Sequence, residues 1–317
     1  MKKSENHVLK GLSYTVLGLS ILSGCGRDAP VVGAGKSAPT IQKHQDRTLA
    51  DKLYESFLSE LKSAREIKRV CYEPNAQYTL VHIKQSHNLP DEEVFKQLNA
   101  KTRQFSDINS KEMTETTYSQ VDAIWHQKVF KVQEDIGFIL MQLAAAYDVN
   151  SVYAEGITSE NLLYFRQVKN NLEDSKKLYN NLIELYNKNP STEFADKLKE
   201  LDDAINMIEA FIFKEIGAPA FLYLKAEIDM LPAESSIILD ELSTLGSKDN
   251  NSDEYSKVLF DKRENYLLEE IVRRQDNGIV LTVYGGAHNW KDNIERWNSE
   301  HPNQSFNLIE ITPERFF

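Results

Sequence analysis

The sequence predicts an α/β domain with a mixed, mainly parallel sheet, helices on both faces and an inserted helical hairpin. Apolar, β-branched or aromatic runs occupy residues 78–83, 151–154 and 279–284. Continuous runs of this kind are typical of strands that are covered on both faces. Long helical stretches separate the runs, as in βαβ units. Each run also stops at a polar or glycine-containing segment, and ligands of open α/β sheets bind beyond such strand ends.

The first third of the domain is expected to contain three helices and one strand. Residues 49–68 predict a helix, residues 71–75 a turn into the strand at Tyr78, and residues 90–100 a second helix with acids at its N-terminal end. Residues 114–147 predict a long helix that crosses the sheet and returns to the strand at Ser151.

The middle of the chain predicts the helical hairpin, at about residues 160–216. Pro190 breaks the helical pattern, and Ser191 or Thr192 would begin the second helix. That helix carries an apolar stripe with alternating spacings of three and four residues, formed by Leu198, Leu201, Ile205, Ile208 and Ile212. Such a stripe is typical of helix packing. A lid or a dimerisation arm is the alternative interpretation.

The last third predicts a short helix at 221–225, a strand at 228–234 that ends in Glu234, and a polar loop at 246–253. A helix at 255–274 carries Arg263 and Glu264 and leads to the strand that ends before His288. Residues 306–311 predict the last strand.

The N-terminus has the layout of a secretory signal peptide, residues 1–24, with Lys2, Lys3 and Lys10 ahead of or beside an apolar core at 11–22. It ends in Leu22-Ser23-Gly24-Cys25, which resembles the lipobox of bacterial lipoproteins. The resemblance implies cleavage before Cys25, acylation of its thiol and anchoring in a membrane. Gly26 replaces the aspartate that retains enteric lipoproteins in the inner membrane, so we expect the outer membrane, or the outer face of the cell membrane where no outer membrane exists. Residues 25–46 predict a flexible tether to the domain at 47–317.

The net charge limits the classes of partner that we expect, and the cysteine count limits the disulfides that can form. Loss of three lysines and one glutamate with the signal peptide takes the formal net charge from −11 to −13. Such an acidic chain argues against a nucleic-acid partner and against broad docking on anionic lipid. Cys71 is the only other cysteine, so no intramolecular disulfide is expected once Cys25 is acylated. The sequence does not indicate an oligomeric state.

Strand-end residues suggest a hydrolytic or metal-binding site. His87, Glu155 and His288 each follow one of the three apolar runs, and Glu234 ends a further predicted strand. Two imidazoles and a carboxylate form a divalent-metal ligand set, or a histidine paired with a carboxylate activates water as a general base. Arg263 would stabilise negative charge on a substrate or oxyanion. By contrast, His82 lies within a strand and is expected to be a packing residue.

In their order along the chain, these residues resemble the superfamily of Tiki proteases, TraB/PrgY pheromone-shutdown proteins, erythromycin esterases and haem-binding ChaN lipoproteins. Those proteins share two Gly-x-x-His motifs, an intervening strand-end glutamate and an arginine on a later helix. Gly285-Gly286-Ala287-His288 matches the second motif and Glu155 the glutamate. Lys84-Gln85-Ser86-His87 departs from the first motif, with lysine in place of glycine. The resemblance implies an α/β fold and an activity among metal-dependent proteolysis, metal-independent ester hydrolysis and haem binding.

Two functions are therefore expected as alternatives. The first is a membrane-anchored hydrolase of peptide or ester bonds, in which His87, Glu155 and His288 bind a divalent metal or activate water, Arg263 stabilises charge and Glu234 assists. The second is a non-catalytic lipoprotein that binds a small molecule such as haem, or a partner protein. For the second, the aromatic rings of Tyr153, Tyr284 and Trp290 near the strand ends would offer a ligand platform.

Overall fold

A six-stranded sheet organises the protein, for which a computed structural model describes residues 47–86, 113–250, 252–274 and 278–317. The strands are β1 (Ala64–Cys71), β2 (Tyr78–Gln85), β3 (Ser151–Thr158), β4 (Asp229–Glu234), β5 (Gly278–Gly285) and β6 (Phe306–Pro313). Their spatial order is β1-β6-β2-β5-β3-β4. All neighbours are parallel except β1, which runs antiparallel to β6. This confirms the predicted α/β fold with a mixed, mainly parallel sheet.

Helices connect the strands and cover both faces of the sheet. They are α1 (Arg47–Glu60), α2 (Met113–Tyr147), α3 (Ser159–Lys188), α4 (Thr192–Glu215), α5 (Ala218–Leu224), α6 (Ser236–Gly246), α7 (Asp253–Lys257), α8 (Arg263–Arg274) and α9 (Trp290–Glu300). A π-helical turn, Val258–Lys262, joins α7 to α8. In the described ranges, no helix is long and apolar enough to cross a bilayer.

Side-chain alternation along the strands creates two separate cores. Val81, Ile83 and Val283 point to one face, where they pack with the inner side of α2 and with Leu53, Phe57 and Leu61 at α1. Leu80 and Tyr284 point to the other face, where they pack against α8 and α9. Because successive side chains of a strand point to opposite faces, α2 and α8 lie on opposite sides of the sheet.

The helical hairpin occupies the predicted region, with α3 and α4 packed on each other. The Thr158 hydroxyl accepts from the Asn161 backbone N–H at the start of α3, and the Ser191 hydroxyl accepts from the Phe194 N–H at the start of α4. Four residues of the apolar stripe of α4, Leu201, Ile205, Ile208 and Ile212, pack in a third core with Leu162, Phe165, Val168 and Leu172 of α3. These contacts show the packing role that the stripe predicted.

Two sequence-based expectations were wrong in detail, and two helices were not predicted. Residues 64–68, expected to be the end of the first helix, belong to β1 (Ala64–Cys71). This strand lies at the edge of the sheet and carries charged residues at four of its eight positions, so it lacks the apolar alternation of a covered strand. Helices α6 and α9 were not predicted, and the helix expected at 255–274 is interrupted by the π-helical turn. The predicted signal peptide, the tether and the helix at 90–100 lie outside the described residues.

Candidate functional site

Glu155 lies where β3 leaves its regular pairing. The pairing of β3 with β4 shifts between Ala154 and Thr158, and Gly156 adopts φ +78°, a conformation that favours glycine. Glu155 Oε2 accepts a hydrogen bond from the Gly285 backbone N–H at 2.6 Å, and the Gln85 amide donates to it at 3.4 Å. A Cβ at position 285 would lie 3.3 Å from this oxygen, so glycine permits the close approach.

Arg263 links Glu155 to a second buried carboxylate, that of Glu234. Its Nε donates to both Glu234 oxygens at 3.1 Å, and Nη2 donates to Glu155 Oε1 at 2.7 Å and to Glu234. The Tyr284 hydroxyl donates to Glu234 Oε1 at 2.7 Å. Burial opposes the charge on Arg263, but the carboxylates outweigh it and raise the pKa of the guanidinium above its ordinary value. The arginine is therefore a fixed positive charge beneath the sheet edge.

His288 lies between two carboxylates. Its Nδ1 is 2.9 Å from Glu264 Oε1 and its Nε2 is 3.7 Å from Glu155 Oε1. The rings of Tyr284 and Phe260 meet it edge to face, at centroid distances of 4.8 and 5.2 Å. Burial favours the neutral imidazole, but Glu155 and Glu264 outweigh that effect and raise the pKa of His288.

The contact with Glu264 determines the orientation of the imidazole. A carboxylate accepts hydrogen bonds, so Nδ1 carries the proton that it donates to Glu264. In the neutral ring, Nε2 is then the free base, and it faces Glu155. Glu155 is the more accessible of the carboxylates in contact with Arg263: its side chain is 14% exposed, against 0% for Glu234. The arrangement offers a base and a carboxylate side by side at the carboxyl end of the sheet.

The structure brings four of the five predicted site residues into one network: Glu155, Glu234, Arg263 and His288. His87 lies outside the described residues. Sequence reasoning missed the roles of Glu264 and Tyr284 in this network. Glu264 directly follows Arg263, and neighbouring helix residues normally point to different sides. Both are buried here because the start of α8 lies between Glu234 on one side and His288 on the other.

Lys84, the residue that departs from the first motif, belongs to a separate group. Its ammonium lies 2.8 Å from Glu310 Oε2. The fully buried His82 lies beside this pair and contacts the Tyr284 carbonyl through Nε2 at 3.2 Å, as expected of a packing histidine. Burial alone would raise the pKa of Glu310, but His82 and Lys84 lower it to about 2.

The structure describes two of the three predicted metal ligands, because His87 lies outside the described residues. Of the three predicted ligands, Glu155 already contacts Arg263 and the Gly285 N–H, and His288 contacts Glu264 through Nδ1. Nowhere in the described part of the chain do three His, Cys, Asp or Glu residues form a group that could hold a metal ion. Through these contacts, Glu155 and His288 are arranged for acid–base chemistry.

The aromatic platform expected for a bound ligand is not present at the surface. Tyr153, Tyr284 and Trp290 are at most 2% exposed and belong to the core beneath α8 and α9. None of the three therefore presents a ring face on which haem would stack.

Comparison of the chain with models of known families, with curated proteins and with solved structures finds no match. The superfamily resemblance therefore stays a prediction from the motifs, and function has to be argued from the geometry of the site.

Proposed function

We propose that this protein is a hydrolase of peptide or ester bonds, anchored at the outside of a membrane by acyl chains on Cys25. The observation that carries the proposal is the position of His288, with Nδ1 held by Glu264 and Nε2 directed at Glu155. A histidine oriented by a carboxylate is the usual general base for activating water.

The proposed reaction begins at the gap between His288 and Glu155. Nε2 and Oε1 are 3.7 Å apart, so one water molecule would reach both within hydrogen-bonding distance. His288 takes a proton from that water as its oxygen attacks the substrate carbonyl carbon. Glu264 stabilises the imidazolium that forms. The proton then passes to the leaving amine or alkoxide as its bond to the carbonyl carbon breaks.

Arg263 contributes through its charge. Its guanidinium is hydrogen-bonded to Glu155 and Glu234, and it holds Glu155 beside His288. Because its charge is already paired with these two carboxylates, its contribution to negative charge on water and on the carbonyl oxygen acts through the position of Glu155. Glu234, with the Tyr284 hydroxyl, keeps the guanidinium in place and is a positioning residue.

Substitution of His288 tests the activity. Purified protein would be assayed on panels of peptides and esters, with and without added divalent metal. The proposal expects hydrolysis that His288→Gln abolishes, while His301→Gln, at an exposed histidine of the same chain, leaves it unchanged. An activity that survives His288→Gln would remove this residue from the mechanism.

Substitution of Cys25 tests the anchor. The lipobox at residues 22–25 supports acylation, and two or more acyl chains give stable attachment where one is marginal. Cys25→Ser is expected to block palmitate incorporation and to release the protein from membranes. Palmitate labelling of that variant, or a soluble wild-type protein, would refute the anchor.

A second proposal, a non-catalytic binding lipoprotein, is favoured by Lys84. In the superfamily pattern that position is glycine, and here it holds a lysine ion-paired with Glu310. Titration of the protein with haem tests this alternative, which expects a Soret shift and no turnover on either panel. No shift, together with hydrolysis, would reject it.

A further inference from the structure

Helix α2 has an apolar outer side that nothing in the described structure covers. Phe138, Met141, Gln142 and Ala145 recur at positions i, i+3, i+4 and i+7, which places them on one side of the helix. Phe138 is 61% exposed and Met141 36%. Residues 136–147 contain no charged residue, although charged residues make up 27% of the chain. We call Phe138, Met141, Gln142 and Ala145 the outer patch.

The outer patch continues towards α1. A groove of about 280 Å³ lies between the two helices and is lined by apolar residues, by Gln142 and, at its α1 side, by one charged residue, Glu60. The rings of Phe57 and Tyr147 are in edge-to-face contact at 5.2 Å, and the Tyr147 hydroxyl donates to Ser56 at 2.7 Å. Helix α1 adds a further exposed apolar side chain, Leu58, at 55%.

We propose that a lipid bilayer covers the outer patch, so that the anchored domain lies on the membrane through α2. This inference rests on the lipid anchor of the proposed function. The predicted tether, residues 25–46, leads directly into α1, which begins at Arg47. Helix α1 packs beside α2. A flexible tether of roughly 20 residues spans about 25 Å on average, which keeps the patch within reach of the bilayer surface.

Apolar insertion drives this docking, and charge does not. The mature chain is acidic, so anionic headgroups would repel it overall, whereas the outer patch is uncharged. Phenylalanine and methionine are suited to the boundary between headgroups and acyl chains. Contact should therefore not require anionic lipid.

Docking through α2 would leave the candidate site accessible. Helix α2 covers one face of the sheet, whereas α8 and the His288 ring belong to the opposite face and the carboxyl edge. A bilayer against α2 would therefore not block Glu155 or His288.

Fluorescence quenching by lipids with brominated acyl chains tests the proposal. Phe138→Trp places a reporter on the outer patch, and Met141→Trp is a second reporter in case the first variant does not fold. Ile237→Trp is the control, because Ile237 lies on α6 and is 78% exposed. Each full-length lipidated variant is reconstituted in phosphatidylcholine vesicles, with and without phosphatidylglycerol, and the wild-type tryptophan signal is subtracted.

The proposal expects bromolipid to quench Phe138→Trp or Met141→Trp several-fold more than Ile237→Trp, at either lipid composition. Equal quenching in protein that sediments with vesicles would overturn the docking and leave the anchor intact. A reporter that is shielded from acrylamide but not quenched by bromolipid would show that a second copy or another protein covers the outer patch. That result would also overturn the docking on the bilayer. Protein that does not sediment with vesicles would refute the anchor together with this inference, whereas the hydrolysis assay is independent of both.

Discussion

His288 Nδ1 lies 2.9 Å from Glu264 Oε1 in a buried contact between the end of β5 and the start of α8. This contact fixes which ring nitrogen carries the proton and directs Nε2 towards Glu155. Burial disfavours the imidazolium, but the two carboxylates outweigh burial and raise the pKa of His288 above 6.5. The contact therefore determines the direction in which the base acts and, together with Glu155, raises the pH at which the base becomes available.

Arg263→Gln should destabilise the fold strongly. The substitution leaves the Glu234 carboxylate, which is fully buried, without its cation. Removing one partner of a buried ion pair costs about 3–5 kcal/mol of unfolding free energy. Urea unfolding at neutral pH measures the change.

Arg273→Gln is the matched control, because Arg273 pairs with Glu270 and its side chain is 67% exposed. Glu270 is largely buried but keeps its contact with Arg274, so loss of the exposed Arg273 should cost only roughly 0–1 kcal/mol. If both variants lost the same small amount, the network around Arg263 would not contribute to stability as described.

Glu310→Gln should flatten the acid limb of the stability curve. The pKa of Glu310 is lowered from 4.5 to about 2, so its ionised form stabilises the fold. That stabilisation is fully present above pH 4.5 and is lost as the pH falls towards 2. A shift of this size corresponds to about 3 kcal/mol at most. Unfolding free energies measured across this pH range should therefore converge for wild type and variant at the acid end.

Glu193→Gln serves as the control for Glu310→Gln, because Glu193 is exposed on α4 and pairs there with Lys197. It should leave the curve almost unchanged. A wild-type curve parallel to that of Glu310→Gln between pH 4.5 and 2 would contradict the pairing of Glu310 with Lys84 and His82.

Gly286→Ala should destabilise the turn that carries His288. A Cβ at position 286 would overlap Cζ of Phe316, so the ring or the turn must move. Overpacking of this kind costs roughly 1–3 kcal/mol. The double variant Gly286→Ala, Phe316→Leu should recover part of the loss in thermal or urea unfolding.

Gly137→Ala is the opposite case. In helix α2, the added Cβ would lie 3.7 Å from Ala218 Cβ, which is an ordinary contact. Replacing a mid-helix glycine by alanine stabilises by roughly 0.5–1 kcal/mol. Should Gly286→Ala prove as well tolerated as Gly137→Ala, the close packing of Phe316 on the turn would be wrong.

Strand ends were the part of the site that the sequence could predict. The runs before Glu155 and before Gly285 are covered on both faces and are therefore mostly apolar, without polar alternation, so their ends can be recognised in the sequence. Parallel pairing then brings those ends to one edge of the sheet, where Glu155 and His288 meet.

Contacts between residues far apart in the chain could not be predicted in the same way. The pairing of Glu264 with His288 depends on how α8 packs, and the residue types alone do not determine it. Edge strand β1 was missed for a related reason. Its charged residues suit an exposed edge: they are Arg65, Glu66, Lys68 and Arg69. With them, the strand lacks the alternation of apolar and polar residues by which a strand is recognised in a sequence.

The pH dependence of hydrolysis in wild type and Glu264→Gln tests the central claim most directly. Because neutral His288 is the base, wild-type kcat/KM should rise with pH and level off above a pKa that is higher than 6.5. Glu264→Gln removes one of the two carboxylates that raise this pKa, so the acid limb should move to lower pH. Loss of the oriented imidazole should lower the plateau by roughly a hundredfold. A hydrolytic activity whose limb and plateau are unchanged in Glu264→Gln would contradict the account.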